Sequence, residues 1–201
     1  MIYADAIRLQ KDVAKKVVMA KDDFGEISHI CGVDIAYSAG CNAAYCSAVI
    51  MDRNMQQLIE SIDVQTVVKY PYVPGLLMLR EAEPIFYTLK LLKNSYDLLL
   101  IDGHGLLHPR KCGLACYIGV TLDRPTIGIA KSRLCGTVQP DGFVELDGEI
   151  LGYAISKKLY ISVGHRITLK TAIALVKELG IEPLRLADIN SRKKKKKKAL
   201  D

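Results

Sequence analysis

Three carboxylates stand at positions in the sequence where a charged side chain is unusual. Asp34 lies inside the apolar segment Cys-Gly-Val-Asp-Ile-Ala, and Asp102 ends the apolar run Leu-Leu-Leu-Ile. Glu81 lies early in a predicted helix, one turn after a Pro-Gly pair. Singly, such residues cap turns or face solvent. An ionised carboxylate among apolar residues is costly without a compensating group, so the three together predict a cluster of oxygen ligands.

Such a cluster has a specific chemical use, because Mg²⁺ and Mn²⁺ prefer oxygen ligands and accept several carboxylates. A divalent metal beside a scissile phosphate neutralises developing charge and activates water. Lys131 directly follows an apolar strand. It either leaves that strand for solvent or points into the same cleft, where it would hold a phosphate or a leaving oxygen.

The elements that must position these residues follow from hydrophobic periodicity and from the Gly and Pro breaks. Their order predicts an α/β fold, in which an antiparallel meander and parallel strands form one mixed β-sheet with helices on both faces. Ligands collect at the carboxyl ends of strands in such sheets. The predicted strands are 29–37, 42–51, 57–68, 96–101 and 126–130, the predicted helices are 4–20, 76–93 (with a kink or split at Pro84), 113–122 and 168–179, and 133–159 is hairpin-like.

The composition indicates one globular domain. The chain has 201 residues, of which 50% are hydrophobic and 25% charged, which excludes a disordered chain or a collagenous repeat. No apolar run approaches the roughly 20 residues of a membrane span, and the first residues lack an apolar export segment. We therefore expect a cytoplasmic protein with no membrane partner.

The net charge of +6 comes from one end of the sequence. Residues 192–201 contain seven of the 28 basic residues, and without this segment 21 basic residues balance 21 acidic ones. We therefore predict a single domain over residues 1–191 and a basic, disordered tail over 192–201. The tail is either a weak tether for nucleic acid or without function.

Several longer motifs resemble the endonuclease V family in order and spacing. They are Tyr70-Pro-Tyr-Val-Pro-Gly75, Leu79-Arg-Glu81, Leu99-Leu-Ile-Asp-Gly-His-Gly105, His108-Pro-Arg, Gly113-Leu-Ala, Pro125-Thr-Ile-Gly-Ile-Ala-Lys131 and Ser162-Val-Gly-His-Arg-Ile167. The resemblance covers nearly the whole chain, from about Cys31 to Ser191. It implies a ribonuclease H-like fold and a Mg²⁺-dependent endonuclease of DNA repair, for which Mn²⁺ would substitute. The implied reaction cleaves the second phosphodiester bond 3′ to deoxyinosine and leaves 3′-hydroxyl and 5′-phosphate ends.

The same resemblance assigns roles to acidic and basic residues. Asp34, Glu81 and Asp102 would be metal ligands and catalytic residues. Asp188, in Leu-Ala-Asp-Ile near the C-terminus, matches the family's further ligand, although it could also be an exposed residue beside the tail. Lys131 would be catalytic.

A second group of residues would bind the substrate. The Tyr-Pro-Tyr-Val-Pro-Gly loop is either a turn with a packed tyrosine or a stiff aromatic wedge that separates strands, and the resemblance favours the wedge. Glycines would let the backbone approach the edge of an extruded hypoxanthine, and a tight backbone-lined pocket would distinguish it from other bases. His165 is either structural or functional. The implied substrate-binding residues are Tyr72, Pro74, Gly75, Leu77, Gly103, His108 and His165.

The sequence leaves the substrate open between deoxyinosine-containing DNA and single-stranded RNA that contains inosine, because contacts to a 2′-hydroxyl leave no readable motif. A non-catalytic nucleic-acid-binding protein is a third alternative. It does not explain the carboxylates, which would repel phosphate in the absence of cations. We expect a monomer.

Overall fold

A computed structural model describes residues 2–19, 26–38, 42–54 and 56–197, which form five helices and nine strands. Residue 20, where the first predicted helix ends, and the tail from Lys198 onward lie outside the described residues. In chain order the elements are α1 (Ile2–Ala14), β1 (His29–Tyr37), β2 (Ala43–Asp52), β3 (Leu58–Val67), α2 (Leu77–Lys90), β4 (Leu98–Asp102), α3 (Leu114–Leu122), β5 (Thr126–Ala130), β6 (Thr137–Val138), β7 (Phe143–Leu146), β8 (Glu149–Ser156), β9 (Leu159–His165), α4 (Leu169–Leu179) and α5 (Glu182–Lys197).

All nine described strands belong to one sheet, in the order β3-β2-β1-β4-β5-β9-β8-β7-β6. β1, β2 and β3 form an antiparallel meander, and β4 and β5 continue the sheet parallel to β1. Val33 pairs with Ile101, so Asp34 and Asp102 follow at the same level of the sheet. Lys131, the residue after β5, lies at this same edge. The predicted mixed sheet is confirmed, with its parallel carboxyl ends together.

Helices cover both faces of this sheet. On one face, Val33 and Ile101 form a core cluster with Ile85 of α2 and Ile118 of α3. On the opposite face, apolar residues of β1, β4 and β5 pack with α4 and with Leu184 of α5. No helix within the described ranges combines the length and apolar character needed to cross a membrane.

The structure differs from the predicted elements in four places. α1 begins at Ile2 and ends at Ala14, well before the predicted end at residue 20. α2 is a single helix that continues through Pro84, not two helices. The strand β9 was not predicted from the pattern. α5 passes the predicted domain boundary at residue 191 and continues to Lys197, so the described part of the basic segment is helical. The division into a domain and a tail stays a prediction.

Gly32 allows α5 to lie unusually close to the sheet. A Cβ atom at this position would lie 2.2 Å from the backbone nitrogen of Leu184 and 2.4 Å from the carbonyl carbon of Pro183. Backbone atoms cannot yield as the end of a flexible side chain can. Any larger residue would therefore push α5 away from β1, and α5 carries Asp188.

We expect Gly32→Ala to lower the free energy of unfolding by about 2 kcal/mol or more, because overpacking against backbone forces the helix to move. Urea denaturation checks this result. Ser28→Ala, an exposed position just before β1, serves as the control and should leave stability within about 0.5 kcal/mol of the parent. Equal stability of Gly32→Ala and the parent would contradict the close packing.

Candidate active site

An acidic cluster forms where β1, β4 and α5 meet. Asp34 comes from β1, Asp102 is the last residue of β4, and Asp188 lies on α5. One carboxylate oxygen from each lies within 4.8 Å of the other two. The structure thus brings together three of the four ligands predicted from the sequence.

Asp34 is the most buried member of the cluster, with a relative exposure of 6%. Ser191 of α5 donates a hydrogen bond of 2.8 Å from its hydroxyl to Asp34 Oδ2. Burial, followed by the neighbouring Asp102, raises the pKa of Asp34 to about 7, against the opposing effects of Ser191 and Lys131. Two carboxylates in this position resist simultaneous ionisation unless a cation compensates them.

Two cationic side chains contact the cluster from its open side. Lys131 Nζ lies 2.7 Å from Asp102 Oδ2 and 3.0 Å from Asp188 Oδ1. Arg192 Nη2 lies 2.9 Å from the same Asp188 oxygen. Although burial opposes it, hydrogen bonds from Arg192 and Lys131 lower the pKa of Asp188. Lys131 therefore points into the cleft, the alternative that the resemblance favoured.

Glu81 approaches the site from the opposite face of the sheet and is not part of the three-carboxylate cluster. It lies on α2, whereas the cluster lies on the face covered by α5. Tyr37, at the end of β1, donates a 2.6 Å hydrogen bond to Glu81 Oε1. Burial, with the charges of Asp102 and Asp34 in addition, raises the pKa of Glu81 to about 8, although the Tyr37 hydrogen bond opposes the shift. Glu81 and Asp102 are thus close enough for their charges to interact.

A cavity of about 320 Å³ opens beside the acidic cluster. Asp34, Glu81, Asp102 and Lys131 line one part of it. The other part is lined by substrate-binding residues predicted from the sequence, which are Tyr72, Gly75, Leu77, Gly103 and His108.

The predicted loop lies at the mouth of this cavity. Tyr72 is 62% exposed, so its ring is free to contact a ligand and does not fill the core. Pro74 is exposed and does not line the cavity. Gly75 has a φ of 75° and Gly103 a φ of 152°, a region that side chains disfavour. Both glycines therefore present bare backbone to the cavity.

The two histidines have different positions. His108 is 3% exposed, and both ring nitrogens contact backbone, at Gly75 O and Arg110 N. The predicted contact with the nucleic-acid backbone stays a prediction, although neither nitrogen is free for it here. His165 is not brought to the site.

His165 is the last residue of β9 and pairs with Thr126, the first residue of β5. It therefore lies at the amino end of the parallel strands, whereas the acidic cluster lies at their carboxyl ends. Its ring contacts Asp123 Oδ1 at 3.2 Å and accepts a hydrogen bond from the Val18 backbone. This placement does not support the predicted substrate-binding role and favours the structural alternative. His165 lies away from the acidic cluster because β9 runs antiparallel to β5, so that the last residue of β9 meets the first residue of β5.

The donor set of the acidic cluster fits a divalent cation. All three groups offer carboxylate oxygen, the ligand that Mg²⁺ and Mn²⁺ prefer, and their mutual separation allows one ion to contact all three. These carboxylates could therefore hold a divalent metal.

Comparison with known proteins identifies the family. The sequence profile of endonuclease V matches residues 11–189. The endonuclease V of Sulfurisphaera tokodaii is 41% identical over 194 residues, which cover 95% of each chain. That of Thermofilum pendens is 38% identical over 200 residues, or 92% of this chain and 85% of the relative. The chain belongs to the endonuclease V family.

Solved endonuclease V structures share the fold. The Streptomyces avermitilis enzyme superposes with a TM-score of 0.88 at 29% identity, over 98% of this chain and 94% of its own. The Ciona intestinalis enzyme, solved with a 24mer DNA containing an inosine followed by a ribo-adenosine, gives 0.86 at 26% identity, over 97% and 98%. The ribonuclease H-like fold is therefore confirmed, and this endonuclease V family member is a nuclease that hydrolyses phosphodiester bonds.

The burial of His108 in this endonuclease V family member predicts a specific pH dependence of stability. Burial, followed by the charge of Arg110, lowers the pKa of His108 from 6.5 to about 4. Between these values the unfolded chain binds the extra proton and the folded protein does not, so His108 costs stability as pH falls through this window. Above pH 6.5 the effect is absent.

His108→Gln keeps a donor near Gly75 and does not titrate. Relative to this variant, the wild type should lose on the order of 2–3 kcal/mol of unfolding free energy between about pH 7 and pH 4. Denaturation at a series of pH values measures the difference. Parallel profiles for the two proteins would show that His108 titrates normally.

Proposed function

We propose that this chain is a divalent-metal-dependent endonuclease of DNA repair that cleaves the second phosphodiester bond 3′ to deoxyinosine, leaving 3′-hydroxyl and 5′-phosphate ends. The observation that carries this proposal is the three-carboxylate cluster beside a cavity lined by bare glycine backbone. The first feature suits cleavage of a phosphodiester, and the second suits recognition of an extruded base. The family resemblance supplies the lesion and the position of the cut.

Asp34, Asp102 and Asp188 would hold Mg²⁺, with Mn²⁺ as a substitute, and Glu81 would complete the ligand set from the other face. A bound divalent ion would supply charge neutralisation at the scissile phosphate and activation of the attacking water. Lys131, already within 3.0 Å of both Asp102 and Asp188, would contact a phosphate or leaving oxygen with a charge-assisted hydrogen bond.

The backbone-lined part of the cavity would bind hypoxanthine. The Gly75 carbonyl and the Gly103 N–H are already hydrogen-bonded within the protein. The Gly75 N–H and the Gly103 carbonyl would therefore be the groups that meet the base at the cavity wall, without a Cβ atom in the way. Hypoxanthine lacks the amino group of guanine and has a carbonyl where adenine has an amine, so fixed backbone donors and acceptors would leave unpaired polar groups with the wrong base. The exposed Tyr72 would insert between strands or stack on a base.

We expect Asp102→Asn to reduce cleavage of an inosine-containing oligonucleotide by about 10³-fold or more, because it removes a charged ligand from the metal. Binding of the oligonucleotide should stay within about threefold, since Asp102 makes no proposed base contact. Cleavage assays with Mg²⁺ or with chelator measure the first effect, and fluorescence anisotropy measures the second. Asp147→Asn, an exposed residue in the turn before β8, is the matched control and should cleave normally.

A second candidate substrate is RNA that contains inosine. The Ciona intestinalis relative was solved with a ribonucleotide directly after the inosine, so a family site accepts a 2′-hydroxyl there. Equimolar DNA and RNA strands of the same sequence, carrying one inosine and different fluorophores, would compete in one reaction. Faster loss of the DNA supports the proposed function, and faster loss of the RNA replaces it with a ribonuclease activity.

A further inference from the structure

One backbone carbonyl in the wall of the cavity receives three side-chain donors. The oxygen of Gly75 accepts hydrogen bonds from Gln10 Nε2 at 3.0 Å, from His108 Nε2 at 3.1 Å and from Arg110 Nη2. The donors come from α1 and from the segment after β4. A carbonyl oxygen has two lone pairs, so this acceptor is fully used and has no free position for a ligand.

Gln10 is the centre of this arrangement, although it lies outside every motif of the sequence and just before the profile match at residues 11–189. It is 1% exposed. Its Nε2 donates both to Gly75 O and, at 2.8 Å, to Cys112 O, and its Oε1 accepts from Arg110 Nε at 2.7 Å. Two carbonyl acceptors and one guanidinium donor allow only this orientation of the amide.

The two hydrogen bonds of the His108 ring are consistent with a proton on the nitrogen that faces Gly75 O. Its Nδ1 accepts from the backbone N–H of Arg110 at 3.2 Å, which places the ring proton on Nε2, the atom that faces Gly75 O. Burial keeps the ring neutral, since its pKa is lowered to about 4. Gln10, His108 and Arg110 thus form one network with every bond donated in a consistent direction.

The network joins two backbone segments that both reach the cavity. Gly75 ends the loop that carries Tyr72, and Cys112 precedes Gly113, which also lines the cavity. The two segments share no backbone hydrogen bond at Gly75 among those the structure shows. His108 and Arg110 of the second segment donate directly to Gly75 O, and Gln10 adds a link in which one amide group donates to a carbonyl of each segment. The position of the loop relative to Gly103 therefore depends in part on a side chain of α1.

We propose that Gln10 is a positioning residue for the base pocket: it holds the Gly75 carbonyl, and so fixes the distance between the two glycine-lined walls that would enclose the base. The inference rests on the proposed function. It assigns to α1 a part in substrate affinity. Gln10 lies at the wall of the cavity, but both of its amide donors are bonded to backbone carbonyls of the protein and it is not part of the acidic cluster. Its loss should therefore weaken binding and leave the chemical step nearly unchanged.

Gln10→Glu is the sharpest test, because it keeps the size of the side chain and the acceptor for Arg110 but removes both donors. We expect the concentration of inosine-containing oligonucleotide that gives half-maximal single-turnover rate to rise by about tenfold or more, since two hydrogen bonds are lost. The maximal rate should change less than about threefold, and amide exchange of residues 70–76 in the free protein should accelerate.

Two further variants complete the design. Lys11→Gln, at the exposed neighbouring position on α1, should match the wild type in all three measurements. Arg110→Lys keeps the positive charge but loses the guanidinium that links Gln10 to Gly75, and it should shift half-saturation in the same direction. This second variant decides the question if Gln10→Glu does not fold.

The possible outcomes distinguish a failure of the proposed function from a failure of the positioning role of Gln10. If the wild type does not cleave inosine-containing strands at all, the proposed function fails and the inference fails with it. If the wild type cleaves them but the variants show unchanged half-saturation, or a lower maximal rate alone, only the positioning role of Gln10 is overturned. Unchanged amide exchange at residues 70–76 would also overturn it, whatever the cleavage assay shows.

Discussion

Electrostatic repulsion among Asp34, Asp102 and Asp188 is the constraint to which the rest of the site responds. Their oxygens lie within 4.8 Å of one another, and like charges at such distances disfavour joint ionisation. Lys131 and Arg192 offset part of this repulsion through their ion pairs with Asp102 and Asp188, and the pKa of Asp34 is raised. A divalent cation would replace this partial compensation with a full one.

Several separate features of the fold hold the three carboxylates together against their electrostatic repulsion. The parallel register of β1 and β4 brings Asp34 and Asp102 to the same level. Gly32 lets α5 approach until Ser191 contacts Asp34. Neither feature is part of the chemistry, yet either would displace the cluster if altered. The cavity beside it depends in the same way on α1, through the carbonyl of Gly75.

Much of the site could be predicted from the sequence, but only where local pattern and topology agree. Asp34 and Asp102 were predictable because each stands in or after a strongly apolar strand. Asp188 was assigned by resemblance alone, since α5 is mostly polar and gives no clear periodicity. The position of His165, which the sequence left open between a structural and a functional role, could not be predicted because the direction of β9 depends on long-range pairing that periodicity does not report.

The residues that sequence reasoning missed had weaker signals. Gln10 shares the buried face of α1 with Ala6 and Val13, at spacings of four and three residues. A polar side chain in such a stripe indicates a buried hydrogen bond, but its partners lie up to 102 residues away. Tyr37 lies at the end of the strand that carries Asp34. Its contact with Glu81 was unpredictable because it depends on how α2 packs across that strand.

The most direct test of the account is anomalous diffraction from crystals of the whole chain grown with Mn²⁺. We predict one strong peak in contact with an oxygen of each of Asp34, Asp102 and Asp188, at about 2.1 Å from each. A manganese peak elsewhere, or an acidic cluster that binds none at saturating Mn²⁺, would contradict it.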